Sequence, residues 1–374
     1  MKLSLLGKIA FFSFIAQAIV LTVLECVVVY FHVSFVHQYI LGPQGDGISD
    51  ADLIYHALFI LSLGFQILMC IDALRNNNSI QLVSLVIFNL LSLAYAGIQI
   101  YQHIILEERG TDEAIFVPSD MYPTSYMAKH HFTSRMRPLE YTIIGLVAVF
   151  SVYLCVIAYK LVKEFGWEIY KTYSADVEIK RAFINLSILQ TLIKMDIFFI
   201  GAYAIQLLPS QQIGYDQTVI ETVLIFVIGV IMMAMAWYSV VKELKYLLLS
   251  VINALFVCLI YIGYKLVRIN LPKYFNENPD SDPYQFTRRF LTFFLGVTFL
   301  LVIFSIIYAI ICFRNMMNGI YVLTVYGVNN QAQESPHGNA FDEEEMSGVY
   351  SKQQSKRQSK ITELARFPRR LSLD

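Results

Sequence analysis

Proline is missing from every long apolar run of this chain. All ten prolines lie outside eight stretches that read as membrane spans: 9–30, 53–71, 81–104, 141–159, 183–208, 219–241, 246–264 and 290–313. Each is close to the roughly 20 apolar residues that carry a helix across a bilayer core. Their freedom from proline counts against a transporter whose substrate site is built from broken helices. Charge is scarce as well: 15% of residues are charged and 56% hydrophobic, where an average soluble domain carries about 25% charged. No soluble core needs so much apolar surface. The expected fold is an all-α polytopic transmembrane bundle of eight spans. Seven is the alternative count, because only Lys242-Glu243-Leu244-Lys245 separates the sixth span from the seventh.

Chemical signatures are absent too. The chain has no His-Glu-x-x-His, no Gly-x-Ser-x-Gly, no phosphate-binding glycine loop and no paired-aspartate motif at a span. We therefore expect no enzyme, no catalytic residue and no cofactor. The five cysteines, Cys26, Cys70, Cys155, Cys258 and Cys312, show neither zinc-site nor disulfide spacing, and no metal is expected. The first span is longer than a signal-peptide core and reads as a retained anchor. Single glycines at 64, 97, 145, 201, 229, 263 and 296 read as points of close helix packing.

Basic residues orient the chain. With eight spans, eleven Lys and Arg residues near the membrane fall on the N-terminal side and nine on the other, with seven more far along the tail. The excess places both termini in the cytosol. The sequons at Asn77 and Asn185 then lie in a tight cytosolic loop and within a span, and neither is expected to be glycosylated.

Three segments outside the spans have their own character. Residues 105–140 form a lumenal loop. Residues 160–182 mix Lys163, Glu164, Glu168, Lys171 and Arg181 with Phe165, Trp167, Ile169 and Tyr170, a pattern suited to a cytosolic amphipathic helix at the interface. Residues 315–374 form a cytosolic tail, too polar beyond 329 to fold. There the pattern basic-basic-x-Ser occurs twice, ending at Ser359 and Ser372. Phosphorylation at either would reverse local charge and loosen a lipid or protein contact. The expected partners are the bilayer and cytosolic proteins engaging 160–182 and the tail. Nothing points to nucleic acid, and oligomeric state is not encoded legibly. Loops after successive spans run long, short, long in both halves, which hints at a 4 + 4 organisation without detectable sequence repetition.

The costly residues are the intramembrane charges Glu25, Lys194 and Asp196, each worth on the order of 3 kcal/mol to bury near the bilayer centre. Lys194 and Asp196 are two residues apart and face different neighbours. Lys194 has Glu25 as one geometric partner and Asp72, near the end of the second span, as a competitor. These four residues form either a polar clasp that fixes helix order or an ion pathway. Six of the seven histidines, His32, His37, His56, His103, His130 and His131, share the lumenal side, where they suit pH sensing; no two of them have a helical ligand spacing.

The run Phe165-Gly166-Trp167-Glu168-Ile169-Tyr170-Lys171, then Ala175-Asp176, Arg181 and the span-five segment from Gln190 to Phe199 resembles the uncharacterised fungal Golgi-apparatus membrane protein family. Leu24-Glu25, Lys242-Glu243 and the exit from Tyr264 to Arg268 are similar to that family as well. The chain departs from it at Ser174, where the family carries glycine, and at Asn185-Leu186-Ser187, where it carries aromatics. The likeness covers about residues 1–320 and implies a multipass Golgi or related endomembrane protein with no assigned activity. Three functional classes result: a non-enzymatic protein of membrane organisation or sorting, a transporter or channel using Glu25, Lys194 and Asp196, and a seven-span receptor-like signalling protein.

Overall fold

Among the described residues, eight helices are long and apolar enough to cross a membrane. A computed structural model describes residues 4–36, 40–41, 43–112, 116–117, 130, 132–173, 177–208, 219–271, 284, 287–320 and 322. The helices are α1 (Leu5–Val36), α2 (Pro43–Arg75), α3 (Ser79–Asp112), α4 (Arg137–Tyr173), α5 (Val177–Gln206), α6 (Val219–Val241), α7 (Lys245–Asn270) and α8 (Arg288–Met317). Most overrun the apolar segments that announce them, because hydrogen bonding continues into polar flanks where hydropathy has already fallen. Pro43 and Pro138 occupy first-turn positions of α2 and α4, where the missing N–H has no intrahelical partner to lose.

Two tight turns fix the count at eight. Asn78 caps α3, its side-chain oxygen accepting from the backbone N–H of Ile80 (3.0 Å) and Gln81 (3.3 Å), while Asn77 takes the left-handed conformation that reverses the chain. Between α6 and α7 the reversal falls on Glu243, at φ 50°. The Leu244 N–H closes it on the Ser239 carbonyl at 2.9 Å. Residues 242–244 are therefore a genuine break between two spans, and the seven-span count falls.

The packing divides the helices into two rings of four. α1 packs on α2, α2 on α3, α3 on α4 and α4 back on α1; likewise α5 on α6, α6 on α7, α7 on α8 and α8 back on α5. α3 and α2 meet α5, and α3 meets α8, to join the rings. Each ring is thus formed by four helices consecutive in the chain. The glycines contribute less than expected: a Cβ would meet a neighbour at Gly229, 3.1 Å from Ile200 Cγ2, and at Gly263, 3.7 Å from Phe299, whereas the other five face open space.

An aromatic seam fills the junction between the rings. Tyr55 of α2 stacks on Phe290 of α8 at 3.8 Å between ring centroids. Tyr95 of α3 lies 5.1 Å from Phe290 and 5.6 Å from Phe294, and Phe199 of α5 lies 5.7 Å from Phe88 and 5.8 Å from Phe294. Lipid tails are as apolar as these rings, so the seam holds by close packing rather than by escape from water.

Two expectations about the flanks change. Residues 160–173 are not a separate helix, since α4 runs through them without interruption to Tyr173. Leu161 and Phe165 are buried, which extends the packed face of the span past its apolar end. In the segment between α3 and α4, Phe116–Val117 pairs antiparallel with Ile40–Leu41, and a π-helical turn at Phe132–Met136 leads into α4. The tail from 323 onward, a unit apart from the core, lies outside the described residues, as do Ser359 and Ser372.

Candidate functional site

The interhelical polar bonds are spread along the first ring. Gln17 of α1 donates to Asn89 of α3 at 2.6 Å, and Asn89 donates to Ser151 of α4 at 2.8 Å; Gln66 of α2 donates to Ser92 of α3 at 3.0 Å. Such bonds, each worth about 1 kcal/mol in a membrane, tie neighbouring helices in register. They prepare the setting for a much denser cluster.

That cluster lies toward the end of the ring away from the start of α1. α1 supplies Glu25 and His32, α2 Asp52 and His56, α3 Gln99 and His103, and α4 Glu140; all seven are buried. His56 Nδ1 meets Glu25 Oε2 at 2.6 Å, with the Gln99 amide nitrogen 2.6 Å from the same ring atom. His103 Nδ1 meets Glu140, while its Nε2 lies 3.0 Å from each Asp52 oxygen. His32 Nε2 meets Ser49 Oγ at 3.2 Å, and its Nδ1 lies 3.2 Å from Asp52 Oδ2. A small pocket lined by Glu25, Gln99, Glu140 and apolar neighbours adjoins the cluster, with room for about one water.

Asp52 is the hub. One imidazole nitrogen from each of three histidines points at it, and Asp52, His56 and His103 present donor atoms within 4.8 Å of one another. Burying three carboxylates and three imidazoles is tolerable only because they face each other.

The intramembrane charges singled out in the sequence do not meet. Lys194 pairs with Asp72, the competitor, and also donates to Gln81 at 3.3 Å. Glu25 is engaged by His56 and Gln99 instead, so the Lys194–Glu25 pairing is not formed: Asp72 and Lys194 both sit near the α2–α3 turn, where Asn78 reaches Ser187 of α5 at 2.8 Å, whereas Glu25 is far along α1. With side chains 22% and 37% exposed, the Lys194–Asp72 pair is only partly buried. Asp196 is fully buried in the second ring. It accepts from Ser305 Oγ of α8 at 2.6 Å, and its other oxygen has no hydrogen-bond partner.

Of the six histidines proposed to share a face, His32, His56 and His103 come together; His130 is exposed, and His37 and His131 lie outside the described residues. Sequence reasoning missed Asp52, Gln99 and Glu140. A signal existed for the first: Asp52 and His56 are spaced i, i+4 and share a helix face.

A UPF0658 Golgi apparatus membrane protein of Schizosaccharomyces pombe is 25% identical over 285 residues, covering 70% of this chain and 75% of that protein. The chain is its homologue. The likeness to uncharacterised fungal Golgi membrane proteins read from residues 165–199 agrees with this relationship. No family model matches the chain, and no solved structure matches it.

Proposed function

We propose that this is a multipass protein of the Golgi or a related endomembrane, with both termini in the cytosol, that acts by association in membrane organisation or sorting rather than by catalysis or transport. The observation that carries this reading is the separation of the intramembrane charges into three groups. Glu25 belongs to the histidine cluster of the first ring, Lys194 and Asp72 to the turn joining α2 and α3, and Asp196 to a bond with Ser305 in the second ring. A conduit would require these groups to share a path, whereas helix-fixing clasps are expected to be scattered. The relative described as a Golgi apparatus membrane protein supports the location, and an even number of spans places both ends of the core on one side.

The association surfaces in this reading are the cytosolic extension of α4, where Lys160 is exposed and Lys163 sits over Tyr159 at 4.5 Å, together with segment 174–182 and the tail. Phosphorylation of Ser359 and Ser372 would regulate the tail by opposing the adjacent Lys and Arg clusters. Exposed apolar side chains such as Phe226, Ile228 and Ile231 on α6 meet lipid.

The reading is tested by tagging either end of the chain and deleting 329–374. Both tags should be reached by antibody once the plasma membrane alone is opened, with staining that follows a Golgi marker. The deletion should leave the core accumulating normally while removing co-purifying cytosolic proteins. Tags on opposite faces, or a deletion that changes neither location nor partners, would contradict the proposal.

A further inference from the structure

We infer that the cluster centred on Asp52 is a binding site for a divalent transition metal of the zinc class, with His56, His103 and Asp52 as ligands.

The first argument is spacing. Ligands held about 2.0–2.1 Å from a tetrahedral zinc ion are about 3.3 Å from one another. From Asp52 Oδ2, the distances are 3.0 Å to His103 Nε2 and 3.6 Å to His56 Nε2, which bracket that edge length, and the three ligand atoms all lie within 4.8 Å of one another.

The second argument is orientation. Each histidine is held from outside by a partner on its other ring nitrogen: Glu25 for His56, Glu140 for His103 and Ser49 for His32. An imidazole that gives its N–H outward to a carboxylate or hydroxyl presents a lone pair inward, the arrangement that outer-shell carboxylates impose on metal-bound histidines. Among the described residues, two of the inward atoms, His32 Nδ1 and His56 Nε2, are buried without a hydrogen-bond partner. With each outward nitrogen carrying the proton, the inward lone pairs would converge on Asp52, an arrangement that a cation between them stabilises.

The third argument is donor chemistry. Imidazoles with one carboxylate, and no thiolate in the set, suit zinc and its first-row neighbours; magnesium and calcium prefer oxygen ligands in larger number. Three carboxylates in the cluster favour a dication. Three protein donors leave the fourth position of a tetrahedral shell to a water. Such an ion would bind α2 and α3 directly, and α1 and α4 through Glu25 and Glu140. This replaces the expectation of no metal drawn from cysteine and histidine spacing. It stands apart from the association reading, since a structural ion fits a conduit-free bundle of any function.

The test uses the full chain purified in detergent without a polyhistidine tag, dialysed against metal-free buffer and assayed by elemental mass spectrometry. Wild type should retain about one zinc-class ion per chain, and cobalt exchanged into it should show the intense visible absorption of a tetrahedral site. Glu25→Gln, which keeps every ligand, should hold the ion 10–100-fold more weakly. Asp52→Asn combined with His103→Gln should abolish binding. A monodisperse wild-type chain that carries no ion and takes up none from added zinc overturns the proposal. So does metal retained undiminished by the double variant, or an octahedral cobalt spectrum. Should the double variant fail to fold, the wild-type stoichiometry, the cobalt spectrum and Glu25→Gln decide.

Discussion

Replacing His103 by leucine is expected to destabilise the protein by about 3–5 kcal/mol, because the change strands two buried carboxylates at once. His103 lies between Asp52 and Glu140, and leucine roughly fills its volume without offering either carboxylate a polar partner. The loss spans three helices of the first ring, α2, α3 and α4. Against a total stability of about 5–15 kcal/mol, it should appear as a sharp fall in accumulation and a lower unfolding midpoint in detergent. Asn76→Ala is the comparison. Asn76 donates to Asp72 at the exposed end of α2, and its removal should cost less than about 0.5 kcal/mol. If the two variants unfolded alike, the cluster would not be holding the ring together.

The second large effect is expected at the aromatic seam. Phe290 is completely buried against Tyr55 and Tyr95, so Phe290→Ala removes the α8 side of the junction and should cost about 3–5 kcal/mol. No return of apolar surface to water is involved in lipid; the cost is lost dispersion and an unfilled space. Phe304 lies on the same helix but is half exposed, and Phe304→Ala should shift the midpoint by less than about 0.5 kcal/mol. Measuring both variants by thermal unfolding in the same detergent separates packing at the junction from a general loss of apolar bulk. Equal shifts would mean that the rings are not joined there.

The spans were legible because crossing a bilayer demands a long apolar run, and such runs survive any tertiary arrangement. Their margins were not legible, and that cost the site. Asp52 and Glu140 each fall one residue outside a run that begins at Leu53 or Tyr141, so a reading that stops at the first charge excludes the two carboxylates that organise the histidines. That His32, His56 and His103 lie toward one end of their helices was visible from topology alone. Their convergence was not, since His32, His56 and His103 stand on three helices whose rotation is set by packing. Lys194 illustrates the same limit: hydropathy marks it as needing a partner, but the choice of Asp72 over Glu25 depends on which helix ends meet beside the Asn78 turn.

The account rests most heavily on the buried charges being closed clasps rather than stations on a path. Proteoliposomes containing the monodisperse full chain, loaded with proton- and zinc-sensitive dyes, test this directly. Under an imposed proton or zinc gradient they should leak no faster than protein-free liposomes of the same lipid. A flux above that background that is lost in Glu25→Gln or Asp196→Asn would contradict the account and establish these carboxylates as part of a transport route.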